Sequence, residues 1–214
     1  MWFTEMTKSQ PERAEANLSG KYMLWIDGVG AFMLCLNNEI SIGGPAQYDA
    51  PADIALLAGL SRRHATIVRD GEGYYLEAHA AVRVENRMVD WRAFLNNNQQ
   101  IQLGENVALK FRLPTVLSNS AVLEFVSHHR PALSIDGVVL MEDNCLLGPG
   151  LGNHVQCPEW EESVVLYRRG DVLHCKSRGL FFIDDVPANE TGVVKPGQTV
   201  TSEEWRFRLE EITE

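Results

Sequence analysis

Short apolar runs alternate with turn residues along almost the whole chain. From Lys21 onward, segments such as YMLWI, AFMLCL and ATIV are rich in Val, Ile, Leu and Tyr. They are separated by Asp-Gly, Asn-Asn and similar pairs, which tolerate the positive φ of tight turns. Many short strands at regular spacing, with little helical periodicity, are typical of an all-β sandwich or barrel. We predict at most two helical turns, over residues 52–60 and 90–95.

The pattern of the first half returns in the second half. Three pairs of segments match in the same order: CLNNEISIGG with MEDNCLLGPG, ATIVRDGEGYYLEA with VVLYRRGDVLHCKS, and KFRL with RFRL. This agreement indicates an internal repeat. Pro, Ser and Asn interrupt the strands over 114–120, so we expect the boundary between the copies there.

The repeat divides the chain into four segments. We predict a mobile N-terminal lead-in over residues 1–20, because it lacks apolar periodicity and is rich in Glu, Gln, Ser and Lys. A first β-sandwich domain is predicted over 21–114 and a second over 134–214. Residues 115–133 are predicted to connect them and to begin the second copy.

Charge and apolar content narrow the classes of function. The chain carries 29 acidic against 19 basic side chains, a net charge of -10, which argues against nucleic-acid or anionic-membrane binding. No apolar run has the length of a membrane span, and the N-terminus lacks the apolar stretch of a signal peptide. We therefore expect a soluble cytoplasmic protein. Its four cysteines form no CxxC pair and are predicted to be reduced and buried.

No pattern in the chain indicates catalysis or a metal site. There is no nucleophile motif, kinase catalytic loop or HExxH, so we predict that the protein is not an enzyme and needs no cofactor. A zinc site from His154, Cys157, His174 and Cys175 is not expected, because the spacing matches no common zinc module and adjacent strand residues point to opposite faces. The tryptophans at 25, 91, 160 and 205 are predicted to pack in cores.

One segment of the first copy carries a specific motif. Ile42-Gly43-Gly44 is followed by a loop and then by LSRRHA over 60–65. This arrangement resembles the forkhead-associated (FHA) family, whose core has I-G-R, then S-R-x-H-A, then V-N-G near a late strand. The resemblance covers about residues 21–113, and the second copy is similar to a degenerate FHA-like repeat. It implies two tandem FHA-like β-sandwich domains.

The family binds phosphothreonine peptides through the loops at one end of the sandwich and often works beside serine/threonine kinases. The resemblance implies that Ser61 bonds a phosphate oxygen, that Arg62 contacts the phosphate or the peptide, and that Arg63 tunes the site. An arginine fork with a hydroxyl donor is also the chemistry that suits a phosphate dianion on general grounds.

Three further residues and a histidine are assigned supporting roles. Gly43 and Gly44 would shape the loop, and the resemblance implies that His64 is structural and braces neighbouring loops. Asn86 can occupy the left-handed position that the family gives to glycine.

The sequence also departs from the family pattern. Gly44 stands where the family has its phosphate-binding arginine, and His79-Ala80-Ala81 replaces a Ser/Thr and an Asn-Gly. In the second copy, Trp160 and Ser163 align with Ser61 and His64. Two functions therefore stay open. One is recognition of a phosphothreonine peptide by the first domain, and the other is a phosphate-independent scaffold or dimerisation protein that binds other proteins.

Overall fold

Strands account for all the regular secondary structure of the described residues. We describe a computed structural model of the chain, over residues 20–45, 51–71 and 73–212. Within these residues there are twenty strands and no helix, so the all-β prediction is confirmed. The two predicted helical turns are wrong, because Ile54–Ala55 and Arg92–Leu95 are extended and pair in a sheet. The predicted lead-in lies outside the described residues except for Gly20.

The strands of the first half are β1 (Lys21–Ile26), β2 (Gly30–Cys35), β3 (Glu39–Gly43), β4 (Ile54–Ala55), β5 (Ala65–Asp70), β6 (Gly73–Ala78), β7 (Val82–Val84), β8 (Arg87–Met88), β9 (Arg92–Leu95), β10 (Gln99–Leu103) and β11 (Val107–Arg112). Those of the second half are β12 (Ala121–Phe125), β13 (Gly137–Leu140), β14 (Asn144–Gly148), β15 (Val155–Gln156), β16 (Val164–Arg169), β17 (Val172–Ile183), β18 (Val186–Val194), β19 (Thr199–Thr201) and β20 (Arg206–Glu211).

Turn chemistry and side-chain alternation explain these elements. In β11, buried and half-buried residues alternate along the strand, as expected when one sheet face packs on a core. Between β7 and β8, Glu85 and Asn86 have φ values of 49° and 63°, the left-handed conformation that a two-residue hairpin turn requires. The local pattern of the sequence thus predicts both the strands and several of their turns.

The strands form two sheets. The smaller has five strands in the order β4-β3-β5-β6-β9. The larger has fifteen, in the order β15-β14-β16-β17-β19-β20-β1-β2-β13-β12-β11-β10-β7-β8, with β18 beside β17. Together they give a sandwich-like arrangement. Across the described residues, no helix is long and apolar enough to cross a membrane.

The N-terminal hairpin of each half pairs with the last strand of the other half. The β1–β2 hairpin lies beside β20, where Leu24 is opposite Leu209. The β12–β13 hairpin lies beside β11, where Leu123 is opposite Phe111. A parallel pairing of β2 with β13 joins the two parts of the sheet. The predicted domain boundaries stay a prediction, but strands from both sides of them share one continuous sheet.

The central strands are buried on both faces. In β2, Met33 belongs to a core cluster with the five-stranded sheet, whereas Leu34 belongs to a second cluster with β14, β16 and β17. Val138 and Val139 in β13 divide in the same way. Full burial of such a side chain stabilises the fold by about 1.5–3 kcal/mol. The two cores therefore share the central strands β1, β2 and β13.

Two of the four tryptophans disagree with the prediction that all of them pack in cores. Trp160 and Trp205 are buried, with ring centroids 5.8 Å apart. Trp25 is 40% exposed near the end of β1, where its indole Nε1 donates to Glu210. Trp91 is 66% exposed before the edge strand β9. All four cysteines are free thiols in buried positions, as predicted.

Candidate functional site

The loop from residue 60 to 64 lies at one end of the five-stranded sheet, between β4 and β5. Its backbone is tied to the end of β3 at two points. Gly44 N–H donates to the carbonyl of Ser61 over 3.0 Å, and His64 N–H donates to the carbonyl of Ile42 over 2.8 Å. The segments that the sequence singled out are therefore adjacent in the fold.

His64 connects this loop to a second one. Its side chain is 4% exposed, and its Nδ1 accepts a hydrogen bond from the Ser61 N–H. Because Nδ1 accepts, the ring proton is on Nε2, which donates to the carbonyl of Ala81 over 2.9 Å. The His64 carbonyl also accepts from the N–H groups of His79 and Ala80. This geometry suits the bracing role that the resemblance implies.

Gly43 and Gly44 are packed directly against the backbone of the same loop. A Cβ atom on Gly44 would lie 2.5 Å from the carbonyl oxygen of Leu60. A Cβ on Gly43 would overlap the carbonyl of Arg62. An arginine at position 44 therefore requires the loop to move, so the departure from the family pattern is part of the backbone packing.

The side chains of Ser61, Arg62 and Arg63 are exposed and consecutive on this loop. His79, whose backbone N–H donates to the His64 carbonyl, is also exposed, and its Nε2 lies 2.9 Å from the Thr66 hydroxyl oxygen. A hydroxyl and two guanidinium groups thus lie on a surface whose backbone is fixed by His64. This arrangement can donate hydrogen bonds to an anion.

Asn86 lies apart from this group. It is in the turn between β7 and β8, at the end of β7 that is remote from Ala81. Its φ of 63° shows that it has the left-handed conformation considered for it. Asn86 therefore has a structural role, because its left-handed conformation forms this turn.

The corresponding loop of the second half, residues 157–163, has different chemistry. Trp160 is buried in the second core, and Glu161 is exposed. Glu162 accepts a hydrogen bond from the Ser177 hydroxyl over 2.6 Å. Alignment of the two halves shows this change from basic to acidic side chains. The sequence does not show that Glu203 and Glu204, in the β19–β20 loop, lie near Glu161 and Glu162.

The histidine and cysteines considered for zinc have other environments. His154 Nδ1 accepts from Leu146 N–H over 2.9 Å, and Nε2 lies 3.2 Å from the carbonyl oxygen of Ser120. Desolvation lowers the pKa of His154 to about 4, and the nearby Arg112 charge acts in the same direction. Burial raises the pKa of the Cys157 thiol to about 12. In the part of the chain that is described, no group of three or more His, Cys, Asp or Glu side chains is placed to hold a metal ion.

Comparisons with known proteins provide no family or relative for this chain. No model of a known protein family matches it, and a search of curated proteins finds no matching sequence.

Proposed function

We propose that this chain is a non-catalytic protein-interaction module that binds a phosphothreonine-containing peptide at the 60–64 loop. The observation that carries the proposal is the pair of bonds from the buried His64 ring, to Ser61 N–H and to the Ala81 carbonyl. A loop held in this way presents Ser61 and its neighbours in one defined geometry. Little ordering entropy is then lost when a ligand binds.

The chemistry of the exposed side chains suits a phosphate dianion. The Ser61 hydroxyl donates one hydrogen bond, and Arg62 and Arg63 supply positive charge and planar donors. Arg62 and Arg63 replace the phosphate contact of the arginine that the family has at the position of Gly44. The chain as a whole has a net charge of -10, so the local basic pair gives this surface a positive charge that the molecule as a whole lacks.

The proposed partner is a protein phosphorylated by a serine/threonine kinase. This assignment, like the cytoplasmic location, comes from the resemblance and from the sequence pattern. The proposal includes no cofactor and no chemical step.

The test is fluorescence anisotropy with a degenerate phosphothreonine peptide library, using unphosphorylated and phosphoserine libraries as controls. We expect micromolar binding that needs the phosphate and that weakens by about tenfold or more in the Ser61→Ala/Arg62→Ala variant. The matched control is Ser134→Ala/Arg130→Ala, which removes an exposed serine and arginine elsewhere. Equal loss in both variants would contradict the assignment of the site.

The second candidate function is a phosphate-independent scaffold. It is favoured by the close packing of Gly44 on Leu60, which leaves no room for the family's arginine. It is also supported by Met88, Trp91 and Phe94, which are about half exposed or more beside the edge strands β8 and β9. In this case the folded protein would bind none of the phosphorylated libraries better than the unphosphorylated one.

A further inference from the structure

The second half of the fold has a groove at the loop end that corresponds to the 60–64 loop. In the first half, this end is formed by the β4–β5, β6–β7 and β10–β11 connections. In the second half, the β15–β16 loop, the middle of β17 and the β19–β20 loop take those places in the strand order. Between them lies a groove of about 650 Å³.

The groove has an apolar floor. Leu180 and Phe182 line it, and Leu180 is 55% exposed. The pairing of β17 with β18 shifts register between Lys176 and Leu180, which is typical of a bulge that redirects side chains. An exposed leucine at such a position offers a contact for an apolar side chain of a partner.

The rim of the groove is acidic. Glu161, Glu162, Glu203 and Glu204 line it together with a single basic residue, Arg178. Desolvation at the groove wall and the charges of Glu161, Glu162 and Glu203 raise the pKa of Glu204. The negative charge of Glu204 is therefore repelled by its acidic neighbours, and a cationic ligand would relieve this repulsion.

We propose that this groove docks a basic segment of a partner protein, in which Lys or Arg residues flank an apolar side chain. The apolar residue packs on Leu180 and Phe182, and the basic residues face the glutamates of the rim. Charge complementarity defines this occupant, because a phosphorylated or acidic segment would be repelled by the same rim. The site is separate from the phosphopeptide site proposed at the 60–64 loop, and the two sites would select ligands of opposite charge.

The test uses the full chain and a fluorescein-labelled peptide with a central leucine between arginines and lysines. Two further peptides carry glutamate in place of the basic residues or serine in place of the leucine. We expect the basic peptide to bind best at low salt and to lose about tenfold or more in affinity in the Glu161→Gln/Glu204→Gln variant. Leu180→Ser is expected to weaken binding by a smaller but measurable factor.

The matched control is Glu39→Gln/Glu105→Gln, which makes the same change in net charge at exposed positions away from the groove. Thermal unfolding verifies that each variant is folded. An equal loss in the control variant, or no effect of Leu180→Ser, would show non-specific attraction and overturn the proposal.

Sedimentation of the unliganded protein tests the alternative occupant. Self-association that disappears in the Glu161→Gln/Glu204→Gln variant would assign the groove to a second copy of the chain and overturn the proposal of a foreign segment. Phosphothreonine peptide binding is expected to be unchanged in this variant, so the two proposals fail independently.

Discussion

At the scale of single residues, His64 and the two glycines decide the shape of the candidate site. The resemblance carried by the S-R-x-H-A pattern predicts that His64 is structural, and the two hydrogen bonds of its buried ring suit that role. The consequence of Gly44 was not visible in the sequence. Only the position of the Leu60 carbonyl shows that the loop backbone occupies the space that a side chain at position 44 would need.

This close packing predicts a cost for any side chain at position 44. Gly44→Ala places a Cβ 2.5 Å from the Leu60 carbonyl oxygen, and we expect the free energy of unfolding to fall by about 1–3 kcal/mol. Urea denaturation measures this change. The matched control is Gly59→Ala in the same region, where the new methyl meets no atom within 4 Å. If Gly44→Ala is as stable as Gly59→Ala, the loop does not pack as described.

His154 predicts a dependence of stability on pH. Its pKa is lowered from 6.5 to about 4 in the folded state, so the unfolded chain binds the proton more tightly. The stabilising effect of the neutral ring is complete above about pH 6.5 and is lost as the pH falls toward 4. The full shift corresponds to at most about 3 kcal/mol.

Urea denaturation across this pH range, on the wild type and on His154→Asn, measures the effect. Asparagine keeps an acceptor near Leu146 N–H but does not titrate, so the slope of unfolding free energy against pH should be smaller in the variant. Identical slopes would mean that folding does not lower the pKa of His154.

At the scale of elements, the sequence predicts strands and turns much better than it predicts their partners. Alternation in β11 and the Glu-Asn turn after β7 are local signals, and the structure shows both. The partner of β1 is not a local property, since β11 and β20 carry nearly the same sequence, KFRL and RFRL. Trp25 was misjudged for a related reason, because its exposure depends on which strand lies beside β1.

A disulfide across β1 and β20 tests this pairing. Trp25 is opposite Arg208, and paired residues in antiparallel strands have Cα separations that suit a disulfide. We expect Trp25→Cys/Arg208→Cys to form an intramolecular disulfide on mild oxidation, detected by mass spectrometry. The control Trp25→Cys/Arg112→Cys probes pairing with β11 instead, because Arg112 in KFRL corresponds to Arg208 in RFRL. Cross-linking only in the control would show that β1 pairs with β11 and not with β20.

At the scale of the whole molecule, the two halves depend on each other because the N-terminal hairpin of each half pairs with the last strand of the other half. The β1–β2 and β12–β13 hairpins contribute side chains to both core clusters, so neither cluster is complete without strands from the other half. The same arrangement leaves two loop ends with opposite charge, basic around Arg62 and Arg63 and acidic around Glu161 and Glu204.

Shared cores predict a single cooperative unfolding transition. Met33→Ala and Leu34→Ala remove adjacent side chains from different clusters, and each is expected to shift the whole transition by about 2–5 kcal/mol. Circular dichroism and tryptophan fluorescence should give coincident curves. Two separate transitions, each sensitive to only one variant, would show that the halves unfold independently.

The central functional claim is that the 60–64 loop binds phosphothreonine. Its most direct test is a nuclear magnetic resonance titration of the labelled protein with a phosphothreonine peptide selected from the library, beside its unphosphorylated form. We expect phosphate-dependent shifts in the amide signals of residues 60–64 and 79–81, and few at Glu161, Glu204 or Leu180. Shifts confined to other surfaces, or no difference between the two peptides, would contradict it.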